Sequence, residues 1–188
     1  MTLRTEPWPA GTPCWIDLHS PEPSKILDFY TTLFGWEYAE QPGDYHLAKI
    51  GDHVVAGLGP THPAAPDGWG VYFASDDVDQ TASTVTEHGG TLTVGPAEAG
   101  PMGRFVLATD PTGAGFGVWQ ARAHNGCQVV NQPGGLYWED LRTSDPTPLA
   151  PSTHLSSGTS STPCRWPATT TAPSGWAAPI VPSAAWAA

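Results

Sequence analysis

The sequence predicts an α+β fold built from two successive βαβββ modules and followed by a disordered C-terminal tail. Three features point to it. Short runs of alternating apolar and polar residues, the mark of half-buried strands, are punctuated by turn formers. Two stretches instead space their apolar residues as a helix does. The strand and helix pattern of residues 12–58 then recurs over residues 69–121 and is lost beyond them.

The elements follow in order. Residues 12–19 alternate as a strand, and residues 21–34 carry Ile26, Leu27, Phe29, Tyr30, Leu33 and Phe34 as a helical stripe. Gly35 stands where a helix needs a left-handed cap. Strands are expected at 36–40, 45–50 and 53–58, separated by Pro42-Gly43-Asp44 and Gly51-Asp52. A Pro-rich connection, 60–68, leads to a strand at 69–74 and to Asp76-Asp77-Val78-Asp79, whose carboxylates suit the cap and first turn of a second helix. That helix runs to His88 and stops at Gly89-Gly90. Strands near 91–94, 104–108 and 116–121 complete the second copy, with Asp110-Pro111-Thr112-Gly113 as its last turn.

Composition narrows the function classes. The chain has 188 residues, with 7 Lys and Arg against 18 Asp and Glu, a net charge of -11 that repels phosphate backbones and anionic lipid. Nucleic acid and membrane are therefore not expected partners, and no run reaches the roughly 20 apolar residues that span a bilayer. Cys14, Cys127 and Cys164 form no CxxC pair, which argues against a disulfide framework or thiolate zinc site and fits a reducing cytoplasm.

A third copy begins and fails. Tyr137-Trp138-Glu139-Asp140-Leu141 and Pro146 match Cys14-Trp15-Ile16-Asp17-Leu18 and Pro23 at an offset of 123 residues. From Thr147 onward 30 of 42 residues are Ala, Pro, Ser or Thr, and Arg165 is the single charge. Triplets straddling codons 151 to 158 permit Phe-Tyr, then Leu-Phe-Gly two positions later, the spacing of Phe29-Tyr30 and Leu33-Phe34-Gly35. Later straddling triplets permit echoes of Gly43-Asp44-Tyr45 and of Gly57-Leu58-Gly59 in the same order. A reading-frame slip at or just before Thr147 is expected; the alternative is a genuine low-complexity tail with no fold. The expected division is one domain at 11–125, a linker with an orphan first strand at 126–146, and the tail at 147–188. With Leu136, Tyr137 and Trp138 uncovered, the orphan strand is expected to promote self-association, whereas a chain ending near Ala123 should stay monodisperse.

Gly11-Thr12-Pro13-Cys14-Trp15-Ile16-Asp17-Leu18, Phe29-Tyr30, Leu33-Phe34-Gly35-Trp36, Asp76-Asp77-Val78-Asp79, Gly103-Arg104-Phe105, Asp110-Pro111-Thr112-Gly113-Ala114 and Trp119-Gln120 together resemble the glyoxalase/bleomycin-resistance/dioxygenase, or vicinal oxygen chelate (VOC), superfamily. The likeness covers about residues 11–125, and is greatest to actinobacterial tandem-domain proteins described as glyoxylases or hydroxylases. It implies that the two modules pair, their curved sheets enclosing one cavity, and that a second domain is missing. Metal-dependent members place His, Gln or Glu ligands in the first and last strands of each module, where the ion acts as a Lewis acid or activates dioxygen. Counting back 14 residues from Phe29 puts the first such position at Trp15, and the alignment puts others at about Gly70 and Gly117. An indole and two glycines are not ligands, so the resemblance implies neither metal nor cofactor.

Strand alternation puts Trp15, Asp17 and His19 on one face, toward the cavity, and Tyr72 is taken with them as ligand-binding. The competing reading is structural, with Trp15 filling the core and Asp17 paired to backbone donors. Asp17 and His19 as an acid/base pair is a weaker reading, since two residues apart on a strand proves proximity alone, and so is a metal site of Asp17, His19 and His46, which no HxH or HxxxH spacing supports. His46, His53, His62, His88 and His124 are expected to be mostly solvated, and Cys14 buried. The expected function is metal-free binding of a small, partly hydrophobic molecule, in antibiotic resistance or as an accessory of secondary metabolism. The second reading is a metal-dependent glyoxalase-like lyase or oxygenase. The catalytic residues are unassigned.

Overall fold

The structure, a computed structural model, describes residues 3–63, 65 and 67–139. Ten elements follow in the order β1 (Pro13–Ser20), α1 (Pro23–Phe34), β2 (Glu37–Gln41), β3 (Tyr45–Ile50), β4 (His53–Pro60), β5 (Gly68–Ala74), α2 (Val78–Glu87), β6 (Thr91–Glu98), β7 (Gly103–Thr109) and β8 (Gly115–Ala121). The α+β reading and both βαβββ copies hold. Helix α1 starts with proline in its first turn and ends at Gly35, whose φ of 69° is the left-handed cap and whose N–H bonds the Thr31 carbonyl. Asp77 caps α2, its carboxylate accepting from the Asp79 and Gln80 amides. Strand β6 runs four residues beyond the expected Val94, through Gly95-Pro96. It lies at the sheet edge and is bulged there, where a proline costs no ladder bond.

All eight strands form one sheet in the order β2-β3-β4-β1-β5-β8-β7-β6. Each module pairs its first and last strands in parallel, Asp17 opposite Gly57 in one and Tyr72 opposite Gly117 in the other. At the centre β1 and β5 run antiparallel, with Trp15 opposite Tyr72 and Asp17 opposite Gly70. Exchanging residues 15 with 70 and 17 with 72 maps these pairs onto each other, which is the signature of two like modules related by a twofold axis.

The helices cover one face of the sheet. Val78, Ala82 and Val85 of α2 pack on Val106, Ala108 and Val118. Under α1, Tyr30 stacks against Phe34 and Trp36 and accepts a 2.9 Å bond from Trp69 Nε1. No helix of the described residues is long and apolar enough to cross a membrane.

Residues expected to be linker are part of this packing. The Cys127 amide bonds the Cys14 carbonyl and the Gln128 amide bonds the Val54 carbonyl, both at 2.8 Å, so the segment fills the splayed end between β1 and β4. Cys127, Val129, Val130 and Leu136 are buried in the main core. This corrects the expectation of an uncovered Leu136: it meets Val130 in an isolated parallel bridge, with no strand over 136–139, and of the three expected apolar residues Tyr137 and Trp138 stay exposed, at 69% and 52%. The rest of the orphan strand, Asp140 and Leu141, and the tail at 147–188 lie outside the described residues.

Candidate functional site

The sheet face opposite the helices is a trough whose floor is set by alternation. On β1, Trp15, Asp17 and His19 project into it in turn, each about 7 Å from the last. One end of the trough is stopped. The His124 ring meets Trp15 edge-on with centroids 4.4 Å apart and Trp119 at 5.6 Å, and its carbonyl accepts a 2.8 Å bond from Trp119 Nε1. The other end opens as a cleft of about 100 Å³, lined by Asp17, His19, Tyr72, Leu107, Thr109 and the glycine-rich turn from β7 into β8.

Two glycines make this floor. A Cβ on Gly57 would overlap the Tyr45 hydroxyl, and one on Gly117 would overlap the Tyr72 ring. The rings occupy the space that the absent side chains leave. Their hydroxyls converge on Asp17, which is 5% exposed: Tyr72 donates to its Oδ2 at 3.0 Å and Tyr45 at 3.4 Å, while Trp15 Nε1 donates to Tyr45 at 3.3 Å. His19 Nε2 lies 3.5 Å from the same oxygen, and its Nδ1 is 2.9 Å from the Pro60 carbonyl.

The electrostatics follow from this arrangement. Burial lowers the His19 pKa, but the Asp17 hydrogen bond and charge, the Pro60 carbonyl and the Asp67 charge outweigh it and leave the group raised. Both ring nitrogens face acceptors, an arrangement that only the doubly protonated ring satisfies in full. Burial, then the Asp17 charge, raise Tyr45 and Tyr72 well above the usual phenol range, so both remain hydrogen-bond donors at neutral pH. His124 goes the other way: burial alone lowers it to about 4, and its Nε2 is buried without a hydrogen-bond partner.

Of the four expected site residues, Asp17, His19 and Tyr72 come together at the cleft, while Trp15 lies behind them, 4% exposed and packed on His124. The structural reading of Trp15 as core therefore holds, whereas Asp17 is held by tyrosine hydroxyls, not by backbone donors. His46 follows Tyr45 on β3, projects from the opposite face and contacts the Asp44 carbonyl and the Tyr38 ring, so it cannot join Asp17 and His19. His124 was expected in solvent and is instead a half-buried stopper whose Nε2 is shut off from water. Tyr45 was missed; its signal was the pair Gly57 and Gly59, which strips one face of β4 of side chains beside it.

The metal that metal-dependent members of the resembled family hold does not fit these residues. Gly57, Gly70 and Gly117 offer no side-chain donor atoms, two tyrosine rings fill the space above Gly57 and Gly117, and among the described residues lining the cleft Asp17 is the one carboxylate. Among the described residues no group of three His, Cys, Asp or Glu side chains converges.

The profile of the Glyoxalase/Bleomycin resistance protein/Dioxygenase superfamily matches residues 15–118. Among similar proteins, "Putative glyoxylase CFP32" of Mycobacterium tuberculosis is 41% identical over 155 residues, covering 78% of this chain and 59% of its own length. "Anthracycline biosynthesis protein DnrV" of Streptomyces peucetius is 34% identical over 152 residues, covering 71% of this chain and 55% of its own. The chain thus spans little more than half the length of these relatives. A Mn(II)-bound glyoxalase from Novosphingobium aromaticivorans is 18% identical, with a TM-score of 0.49 over 64% of this chain and 42% of that one. A profile match across more than half of the sequence, over the two modules just described, means that this chain belongs to the glyoxalase/bleomycin resistance protein/dioxygenase superfamily.

Proposed function

We propose that the chain binds a small, partly hydrophobic molecule in the cleft beside Asp17, without a divalent ion. One observation carries the reading: where an ion would need ligands, Gly57 and Gly117 are covered by Tyr45 and Tyr72, whose hydroxyls turn Asp17 into a fixed polar anchor in an apolar cleft. A concave, mostly apolar site with a few placed polar groups is the usual form of a small-molecule pocket. Asp17, His19 and Tyr72 contact the ligand, and Trp15 reports on it through Tyr45. The names of the Streptomyces relatives, taken with this cleft, support an accessory role in secondary metabolism, with drug sequestration as the neighbouring role.

The net charge and the free Cys14 and Cys127 support a cytoplasmic protein with no nucleic-acid or membrane partner. Exposed Tyr137 and Trp138 support concentration-dependent self-association at that end, which sedimentation over a concentration series tests. Tryptophan quenching by small aromatic molecules tests the main reading. It should saturate and be unchanged by EDTA; quenching that requires an added divalent ion would reject it.

A further inference from the structure

We propose that the cleft selects a cation: a molecule that presents a protonated amine to the Asp17 carboxylate and lays an apolar body along Leu107 and the Tyr72 ring. This rests on reading the cleft as a ligand site and adds the charge of what enters it.

The argument is one of supply. The cleft-lining residues include one carboxylate and no Lys or Arg, and the group there that can carry positive charge is His19. A ligand carboxylate or phosphate would therefore face Asp17, with His19, already committed to that carboxylate, as the one group among the lining residues able to receive it, inside a chain whose net charge is already -11. A neutral hydroxyl could bond Asp17 but would add nothing to offset its charge beyond what His19 supplies. An ammonium group does both, and the Tyr72 ring gives a cation a favourable surface as well. The site is built for it in another respect. Tyr72, Tyr45 and His19 all approach Oδ2 of Asp17, so they fix the carboxylate's orientation and leave Oδ1 as the oxygen assigned to the ligand. The carboxylate is held in place before binding, so little ordering is lost when the ligand arrives.

The test uses the whole chain and three probes that share one ring and differ in charge: benzylamine, benzyl alcohol and benzoate, titrated calorimetrically near neutral pH. Benzylamine should bind about tenfold or more tightly than benzyl alcohol, about the factor by which a charge-assisted bond exceeds a neutral one, and benzoate more weakly than either. Asp17→Asn should bring the amine-to-alcohol ratio toward one; because Asp17 is buried, the wild-type ratio alone decides the matter where that variant does not fold. Equal binding of amine and alcohol, or tighter binding of benzoate, overturns the charge selection and leaves the cleft reading standing. No saturable binding of any of the three overturns both.

Discussion

Acidification should unfold this protein partly through one histidine. His124 is gripped between Trp15 and Trp119, and burial lowers its pKa from 6.5 to about 4. Its folded form therefore favours the neutral ring. Above pH 6.5 both folded and unfolded chains carry it neutral, and its contribution is complete. As pH falls below 6.5 the unfolded chain takes up a proton that the folded chain refuses, and stability declines until the folded ring also protonates near 4. Across that window the difference corresponds to about 3 kcal/mol, at about 1.4 kcal/mol per pH unit. His19 has the opposite sign: its raised pKa adds stability that is complete below 6.5 and lost as pH rises through its folded value. The two separate in a difference measurement. Urea unfolding followed by tryptophan fluorescence at about pH 7 and about pH 4.5, on the wild type and on His124→Phe, cancels His19 and the carboxylates. The phenylalanine ring keeps the edge-on packing and has no proton to refuse, so the wild type should lose about 2 to 3 kcal/mol more than the variant between the two pH values. Parallel losses would show that His124 opens to water more readily than its packing implies, and the reasoning fails.

Other perturbations probe the remaining parts of the site. Gly117→Ala places a methyl inside the Tyr72 ring, and Gly57→Ala one inside the Tyr45 hydroxyl; each should cost about 1 to 3 kcal/mol in urea unfolding and weaken probe binding in the cleft. Tyr72→Phe removes a 3.0 Å charge-assisted bond to a buried carboxylate and should lower stability by about 1.5 to 3 kcal/mol, read by the same assay. Benzylamine affinity should fall as pH is lowered through the His19 titration, because the imidazolium, flanked by Asp17 and Asp67 and by the His62 ring, then competes for the Asp17 charge; calorimetry across that range reads it. A chain ending at Ala123 loses Cys127, Val129, Val130 and Leu136 from the core and should aggregate or unfold without cooperativity, whereas one ending at Glu139 should melt in a single transition; this reverses the expectation drawn from sequence. Nucleotide sequencing through codon 147 should reveal a slip whose correction continues the Phe-Tyr and Leu-Phe-Gly pattern.

What the sequence disclosed divides by the range of the signal. Every strand and helix through β8 was announced by neighbours in the chain: the stripe from Ile26 to Phe34, the cap at Gly35, the carboxylate at Asp77. These are local devices and were placed within a few residues. Period-two alternation also correctly set Asp17 and His19 side by side over the cleft. It failed for Trp15, because alternation gives a direction and not what stands in that direction: His124, from 109 residues along the chain, had already closed the space. The same limit hid residues 127–136, which carry neither period, form no strand beyond isolated bridges, and earn their burial from β1, β4 and the N-terminal residue Leu3.

The glycines connect the two kinds of information. Read alone, Gly57 and Gly117 say only that a side chain is lacking, and a missing donor is a weak basis for assigning a function. The structure shows that each vacancy is matched by a tyrosine from another strand position, and that both hydroxyls end on one carboxylate. Each glycine and the tyrosine over it depend on each other, since a ring the size of Tyr45 or Tyr72 fits only over a residue without a Cβ, and bare glycines beneath an empty trough would leave a void costing stability. The result is a buried acid restrained by two phenols at the centre of the trough. Such an acid can orient and neutralise an incoming positive group, but its Oδ2 is already committed to Tyr45, Tyr72 and His19. That commitment, which leaves Oδ1 to a ligand, is what supports the proposed binding of a cation.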